Sequence, residues 1–240
     1  MNTDVAIWLI RIGQPADVIA ELTELLDEDE RARAAQLSEP AERASFIVAH
    51  GAQRQIVAGQ LGVPATTLRW RQGRHGKPEL AEPAIEIRCN LSHSEELAAV
   101  ALTSRRPIGI DIQRRQIGFD LGRMAERYYP ADEARFVAAG RTERQRAVRF
   151  TGLWTRKEAC IKAEGGRLVA GLRRPARAAG PTIGTVLVAD PATPSRPYLV
   201  RDLIAPPGFH AAVAVGGSAS FTVARRWWAP RSEPARSDGS

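Results

Sequence analysis

The segment WTRKEACIK, residues 154–162, carries a carboxylate and an amine that could act on one ligand. Glu158 and Lys162 are four residues apart, so they share one face of the helix that this segment predicts. On an exposed helix such a pair is an ordinary ion pair, which contributes about 0.3 kcal/mol. The flanking residues are apolar, however, and predict a buried helix, in which a charged pair indicates a function.

A second carboxylate stands in the segment PIGIDIQ, residues 107–113, which alternates as a β-strand does. Asp111 shares a face with Gln113, and Gly109 leaves room there for a ligand or another backbone. Asp111 and Glu158 together are typical of a magnesium site, in which substrate phosphates and water complete the octahedron. Gln113 could add a neutral oxygen ligand. The alternatives are a capping role for Asp111 and an edge hydrogen bond for Gln113.

Two short polar turns are suited to binding a phosphate. The segment NLSHS, residues 90–94, combines hydroxyls, an imidazole and backbone N–H groups, without the spacing of a Ser-His-Asp hydrolase. The segment GRHGKP, residues 73–78, is a basic turn in which Lys77 precedes a rigid proline. In a third segment Glu133 begins a helix after Pro130, where a carboxylate ordinarily complements the helix dipole.

The basic residues are almost all arginine. The chain has 34 basic and 27 acidic residues, a net charge of +7 and a pI near 10.2. Lys77, Lys157 and Lys162 are its three lysines, so the other 31 basic residues are arginine. Since lysine is a compact charge with a tunable pKa, these positions are predicted to need an amine. The net charge indicates an acidic partner: nucleic acid, anionic lipid, a phosphorylated small molecule or an acidic protein.

The length and composition predict a soluble globular protein. With 240 residues, 44% hydrophobic and 25% charged, the chain can bury a core in one large domain or two small lobes. It lacks a run of 18 apolar residues, and its first residues lack the features of a signal peptide. Cys89 and Cys160 are too few for a disulfide framework, so we expect a reducing, cytoplasmic setting.

Hydrophobic periodicity predicts two lobes, residues 1–106 and 107–228, followed by a disordered tail, residues 229–240. The first lobe is predicted to contain a strand at 5–12, helices at 16–37 and 40–61, and strands at 68–71, 85–91 and 97–103. The second is predicted to contain a strand at 107–113, helices broken at 128–130, a helix at 142–163, and strands at 182–189, 198–204, 210–215 and 221–228. The runs AAVAL (98–102) and AAVAV (211–215) favour two similar lobes, although two unrelated buried strands could have the same composition.

The segments GRHGKP, NLSHS, GIDIQ, YYPADE and WTRKEACIK, in this order, resemble the 4′-phosphopantetheinyl transferases of the broad-specificity, surfactin-synthetase-activating type. The resemblance spans residues 7–228. It implies an α+β fold of two similar α/β lobes related by a pseudo-twofold axis, with the active site in the cleft between them. It also implies the activity: transfer of the 4′-phosphopantetheine arm of coenzyme A to a serine of an apo acyl or peptidyl carrier protein, with Mg²⁺ as cofactor and release of 3′,5′-ADP.

The resemblance assigns roles to individual residues. It makes Asp111 and Glu158 the magnesium ligands, Lys162 a pyrophosphate contact and acid for the leaving group, and Glu133 the general base. Gln113 stands where many relatives have glutamate. It is therefore a candidate third metal ligand, a neutral amide where those relatives have a carboxylate. The residues expected to contact coenzyme A are Lys77, Ser92, His93, Lys157 and Lys162, with Arg43 and Arg54 as candidates for its 3′-phosphate.

Two other functions are compatible with parts of the sequence. The net charge would suit a nucleic-acid-binding protein, but the chain lacks a basic stripe interleaved with aromatics, zinc-ligand spacing and a recognition-helix motif. A magnesium-dependent phosphohydrolase acting on coenzyme A would use the same carboxylates. We therefore expect coenzyme A and a carrier protein as partners, without nucleic acid or membrane, and a monomer that builds its own site.

Overall fold

The chain forms a mixed α+β structure, as the sequence predicted. The computed structural model describes residues 3–73, 76–84, 86–166, 171–177, 185–190 and 193–230. Its strands are β1 (Thr3–Arg11), β2 (Arg69–Gln72), β3 (Pro78–Glu82), β4 (Ile87–Ser94), β5 (Leu97–Ser104), β6 (Ile108–Arg114), β7 (Thr185–Asp190), β8 (Thr193–Leu203), β9 (Phe209–Gly216) and β10 (Phe221–Trp227). Its α-helices are α1 (Ala16–Leu25), α2 (Glu28–Gln36), α3 (Pro40–Leu61), α4 (Leu121–Tyr128), α5 (Ala131–Ala138) and α6 (Glu143–Glu164).

Two four-stranded sheets form the centre of the fold. The first sheet has the order β10-β1-β5-β4, the second has the order β6-β9-β8-β7, and β2 and β3 form a separate hairpin. The predicted AAVA runs lie in β5 and β9, and each of these strands is an inner strand of its sheet. Strand β3 was not predicted from the sequence. The expectations for residues 74–75, 85, 182–184 and 231–240 lie outside the described residues.

The two sheets pack with their inner faces together. Ile7 of β1 and Ile110 of β6 belong to one hydrophobic cluster, which therefore joins the lobes. The outer face of the first sheet, which includes Val100, packs on α1, α2 and α3. The outer face of the second sheet, which includes Ala212, packs on α6. The order of layers is therefore helix, sheet, sheet, helix. None of the described helices combines the length and apolarity needed to span a membrane.

Strand β6 divides its residues between two environments, as the alternation predicted. Its three isoleucines point into the shared core and are completely buried. Gly109 faces α6, where an added Cβ would lie 2.1 Å from the carbonyl oxygen of Ala159 and 2.4 Å from the nitrogen of Ala163. Glycine is therefore required for α6 to pack directly on β6. This close packing brings Asp111, on the same face as Gly109, next to Lys162 in the C-terminal part of α6.

The segment 16–37 forms two helices where the sequence predicted one. Asp27 lies between α1 and α2, and its side chain accepts a hydrogen bond from the N–H of Glu30 at 2.9 Å. The Glu30 side chain in turn accepts from the N–H of Asp27 at 3.2 Å. This reciprocal capping box starts a new helix and so overrides the continuous periodicity.

The other long helices begin and end as predicted. Pro40 occupies the first turn of α3, and Gly62 ends it in the left-handed conformation with φ of 69°. Thr142 caps α6 by accepting from the N–H of Gln145, and Gly165 ends that helix with φ of 67°. Each lobe therefore has one helix of 22 residues that covers its sheet.

Strand β10 joins the first sheet. It pairs in parallel with β1, in the register Thr3 with Phe221. The sequence placed residues 221–228 with the second lobe, because they follow its other strands along the chain. Parallel partners need a long connection, so local patterns carry no sign of this pairing.

Candidate active site

Three elements place polar groups around Asp111. Asp111 of β6 is 4% exposed, and its Oδ1 accepts from the hydroxyl of Ser92 on β4 at 2.8 Å. The same Oδ1 lies 2.7 Å from Nζ of Lys162 on α6. Lys162 Nζ also donates to the Ser92 hydroxyl at 2.8 Å. The sequence selected all three residues, and the fold brings them together across both lobes.

The other oxygen of Asp111 faces the site without a donor. Its Oδ2 is buried and has no hydrogen-bond partner among the described residues. Burial raises the pKa of the Asp111 carboxyl, although Lys162 and Ser92 oppose this shift. A buried carboxylate oxygen that lacks a donor is one that a cation would satisfy.

Glu158 supplies the second carboxylate, one helical turn before Lys162. Burial and the charge of Asp111 raise the pKa of Glu158 to about 7, which indicates that the carboxylates lie close enough to repel. The described residues contain no group of three or more His, Cys, Asp or Glu side chains that could hold a metal. Two carboxylates fit Mg²⁺, which keeps several waters and binds substrate phosphates.

Gln113 lies farther along the same strand face as Asp111. It pairs with His210 of β9 in the register of the second sheet. Its half-buried side chain lines an apolar cavity of about 200 Å³, together with Phe119, Met124 and Trp154. Neither Asp111 nor Glu158 lines this cavity, and the metal contact of Gln113 stays a prediction.

A larger cleft opens between the lobes near Pro107, just before the start of β6. Its volume is about 500 Å³, and residues from both lobes line it. Its basic residues are Lys77, Arg88, Arg105 and Arg196, while Ala163 forms part of the wall at the end of α6. The sequence did not single out the three arginines, since nothing separates them from 28 others (31 arginines less these three). Such a cleft can hold an anionic ligand, and it reaches α6 at Ala163 without including Lys162 or Asp111 in its wall.

Lys77 links the two halves of this cleft. Its Nζ donates to the carbonyl of Ile108 on β6 and to the carbonyl of Ala163 on α6, both at 3.0 Å. Burial lowers the pKa of Lys77 to about 8. Both observed bonds are to protein carbonyls, and the predicted contact to coenzyme A stays a prediction.

Glu133 and Lys157 form a buried ion pair. Lys157 Nζ lies 2.6 Å from Glu133 Oε2, and both side chains are 0% exposed. Glu133 Oε1 accepts from the N–H of Ala176 at 2.6 Å, and Lys157 also donates to the carbonyl of Arg174. Burial lowers the pKa of Lys157, although Glu133 opposes the shift. The role of Glu133 as a base and that of Lys157 as a coenzyme A contact stay predictions. Each side chain would have to leave the protein partners that it has here.

The two arginines proposed for the 3′-phosphate lie in the first lobe. Arg54 is 0% exposed, donates to Glu30 Oε2 at 2.6 Å and contacts the carboxylate of Asp27. Arg43 is exposed and donates to the carbonyl of Leu37 at 2.7 Å. Arg54 therefore ties α2 to α3, and contact of either arginine with a phosphate stays a prediction.

His93 follows Ser92 on β4. Partial burial lowers the pKa of its imidazole, and the charges of His50 and Lys162 lower it further. The side chain of His93 is exposed, and it alternates with that of Ser92 across β4. Its contact with coenzyme A stays a prediction.

Comparison with known proteins agrees with this geometry. A model of the 4′-phosphopantetheinyl transferase superfamily matches residues 107–197, which include Asp111, Glu158 and Lys162. The 4′-phosphopantetheinyl transferase HetI of Nostoc sp. (strain PCC 7120) is 32% identical over 219 residues, covering 90% of each chain. The chain belongs to the 4′-phosphopantetheinyl transferase superfamily. It is therefore an enzyme of this class, and the nucleic-acid-binding alternative is not favoured.

Shorter similarities extend to other members. The protein slr0495 of Synechocystis sp. (strain PCC 6803) is 30% identical over 169 residues, covering 70% of this chain and 68% of its own. The 4′-phosphopantetheinyl transferase psf-1 of Bacillus pumilus is 34% identical over 120 residues, about half of each chain. The similarity to HetI is the most extensive of these three. The comparisons support the superfamily and leave the predicted broad-specificity type as a proposal.

Proposed function

We propose that this 4′-phosphopantetheinyl transferase moves the phosphopantetheine arm of coenzyme A to a serine of an apo acyl or peptidyl carrier protein, with Mg²⁺ as cofactor and release of 3′,5′-ADP. The observation that carries the proposal is the donor-free Oδ2 of Asp111, beside Glu158 and Lys162. A cleft between the lobes reaches Ala163, the residue after Lys162 on α6. This arrangement suits a pyrophosphate that is attacked at one phosphorus.

Asp111 and Glu158 would hold the metal, with Gln113 as a candidate neutral ligand. When bound, Mg²⁺ supplies neutralisation of the charge on the pyrophosphate oxygens. Phosphoryl-type transfer depends mainly on positioning and charge stabilisation, and both carboxylates are on rigid elements, β6 and α6. The buried Ser92 bond fixes the rotamer of Asp111.

Lys162 has the role of binding the pyrophosphate and stabilising the leaving 3′,5′-ADP. Its amine already lies within 2.8 Å of Ser92 and Asp111, so its position is fixed before substrate arrives. The phosphates bring negative charge to an amine that Asp111 only partly neutralises. An ammonium there offsets the charge that develops on the leaving oxygen and can donate a proton to it.

The proton of the carrier serine needs an acceptor. Glu133 is the proposed base, acting directly or through one water. Its carboxylate is held by Lys157 and by the N–H of Ala176, so acceptance of a proton requires a rearrangement of this pair when substrates bind.

The cleft accounts for the choice of coenzyme A. Lys77, Arg88, Arg105 and Arg196 offer positive charge to its phosphates, although Glu79 and Glu164 also line the cleft. Ser92, bonded to Lys162, and His93 are the further proposed contacts. The net charge of +7 would steer an acidic carrier domain toward the enzyme. We propose a monomer, because both lobes of one chain build the site. The free thiols of Cys89 and Cys160 support a reducing, cytoplasmic setting.

Mass spectrometry of the carrier tests this function. The enzyme is incubated with coenzyme A, Mg²⁺ and an apo carrier domain, and the carrier is weighed while 3′,5′-ADP is quantified by chromatography. We expect the carrier to gain one phosphopantetheine for each 3′,5′-ADP released, and EDTA to stop both. Release of phosphopantetheine to water with an unchanged carrier would identify the phosphohydrolase alternative. A panel of acyl and peptidyl carriers then tests the broad-specificity type.

A further inference from the structure

The facing edges of β4 and β6 are joined by side chains instead of a strand ladder. Each strand lies at the edge of its own sheet. The N–H of Ile110 donates to Asn90 Oδ1 at 2.8 Å, and the N–H of Arg114 donates to Ser94 Oγ at 3.0 Å. Between them, the N–H of Ile112 donates to the hydroxyl of Ser92 at 3.3 Å. Acceptors and donors both recur at every second residue, which is the period of the two strands.

Lys77 continues this pattern by one more step. Its amine donates to the carbonyl of Ile108, the residue that precedes Ile110 by one strand period. Residues 108, 110, 112 and 114 of β6 therefore all bond side chains of the first lobe, while the opposite edge of β6 pairs with β9. We call these four contacts the seam.

The seam is connected directly to the catalytic group through Ser92. A hydroxyl has one hydrogen to donate and two lone pairs to accept with. Ser92 donates to Asp111 Oδ1 and accepts from both Ile112 N–H and Lys162 Nζ. All of its capacity is used, so the position of β6 along β4 determines where Asp111 meets Lys162.

We propose that Asn90 and Ser94 are positioning residues that fix the register between the lobes and so hold Asp111 in place for the metal. This inference rests on the proposed magnesium-dependent transfer. A slip of β6 by one residue would replace these N–H donors with ones that face β9, leaving buried backbone groups unpaired. Asn90 and Ser94 thus act on the reaction through the backbone of β6.

Matched variants separate this role from simple stability. Ser94→Val and Ser94→Thr add similar volume, and only the threonine keeps the hydroxyl acceptor. The double variant Asn90→Ala, Ser94→Val removes two contacts of the seam. Val57→Ala, in the buried core of α3, serves as the control for lost stability away from the seam.

Metal binding is measured together with turnover. Binding of Mn²⁺ as a substitute for Mg²⁺ is followed through the free-ion EPR signal in the presence of coenzyme A. We expect the double variant to bind Mn²⁺ about tenfold more weakly, equivalent to about 1.4 kcal/mol, and to lose kcat. Ser94→Val should show a smaller loss of both. Ser94→Thr and Val57→Ala should retain wild-type metal affinity and kcat at a temperature where each is folded.

The outcomes distinguish this inference from the proposed function. If the wild-type enzyme transfers the arm without Mg²⁺, the metal has no part in the proposed function. A difference in kcat between Ser94→Val and Ser94→Thr would then still test the seam. If the double variant does not fold, Ser94→Val compared with Ser94→Thr gives the same test. Equal Mn²⁺ affinity and equal kcat in that pair, in a wild type that needs Mg²⁺, would overturn the positioning role alone.

Discussion

Lys162 Nζ lies 2.7 Å from Oδ1 of Asp111, and this contact joins the C-terminal part of α6 to the face of β6 on which α6 packs. The amine occupies one oxygen of the carboxylate and leaves the other, Oδ2, buried without a donor in the described part of the chain. One carboxylate can therefore orient a cationic side chain and bind a metal at the same time.

Removal of either carboxylate is expected to abolish transfer. Asp111→Ala and Glu158→Ala each leave a two-carboxylate site with one ligand, and losing about 4 kcal/mol of charge stabilisation lowers kcat about a thousandfold. Carrier modification is measured by mass, and folding is checked by circular dichroism. Glu42→Ala, which removes an exposed carboxylate from α3, is the control and should be fully active. Near wild-type activity in either site variant would remove the proposed metal site.

Lys162→Arg should be folded but severely impaired. The guanidinium is wider and planar, so it cannot keep contacts of 2.7 and 2.8 Å to Asp111 and Ser92 from the same backbone position. It also holds its protons too tightly to act as an acid. We expect kcat to fall at least about a hundredfold, from lost electrostatic stabilisation. A fully active arginine variant would show that the site needs only a positive charge.

Gln113 offers a test of the metal shell. If Gln113 borders the ion, Gln113→Glu adds an anionic ligand and should lower the magnesium concentration that gives half-maximal rate. Gln113→Ala should cost less activity than Asp111→Ala, because water can replace a neutral ligand. Identical half-saturation in wild type and in both Gln113 variants would place this residue outside the shell.

Gly109→Ala should destabilise the protein through a direct clash. Its Cβ would lie 2.1 Å from the Ala159 carbonyl oxygen, so α6 must move away from β6. We expect the free energy of unfolding, measured by urea denaturation, to fall by about 3 kcal/mol. Gly13→Ala is the matched control, since its Cβ would meet nothing within 4 Å. Equal stability of the two variants would mean that α6 packs less tightly on β6 than a 2.1 Å approach requires.

Glu133 can be tested for chemistry apart from stability. Glu133→Gln leaves Lys157 buried without its counter-charge and should cost about 3–5 kcal/mol in the free energy of unfolding. The double variant Glu133→Gln, Lys157→Met contains no unpaired charge at this place and should recover part of that loss. If Glu133 is the base, the double variant stays inactive while folded. Wild-type kcat in the double variant would exclude Glu133 from proton transfer.

The sequence predicted those features that depend on local chemistry. Pro40, Gly62, Thr142 and Gly165 mark the ends of α3 and α6, because proline and glycine restrict or free the backbone wherever they occur. The alternation in β6 predicted that Asp111 lies on the face opposite the three isoleucines, and the structure shows α6 packed on that face. These features need no knowledge of distant residues.

Features that depend on distant partners could not be predicted in this way. Nothing near Arg54 in the sequence shows that Asp27 and Glu30 will surround it, and nothing near Lys157 shows that Glu133 will. Likewise, Arg88 lines the cleft only because β4 lies beside β6. In a chain with 31 arginines, composition cannot identify which of them face the ligand.

The parallel pairing of β10 with β1 has a consequence for the synthesis of the protein. During translation, the outer edge of β1 has no partner until residues 221–227 emerge from the ribosome, more than two hundred residues later (221 less 3 is 218). The first lobe is therefore synthesised with the edge of β1 open and apolar. Such an edge is a site for mispairing between nascent chains. The last strand to be made is the one that closes the first sheet.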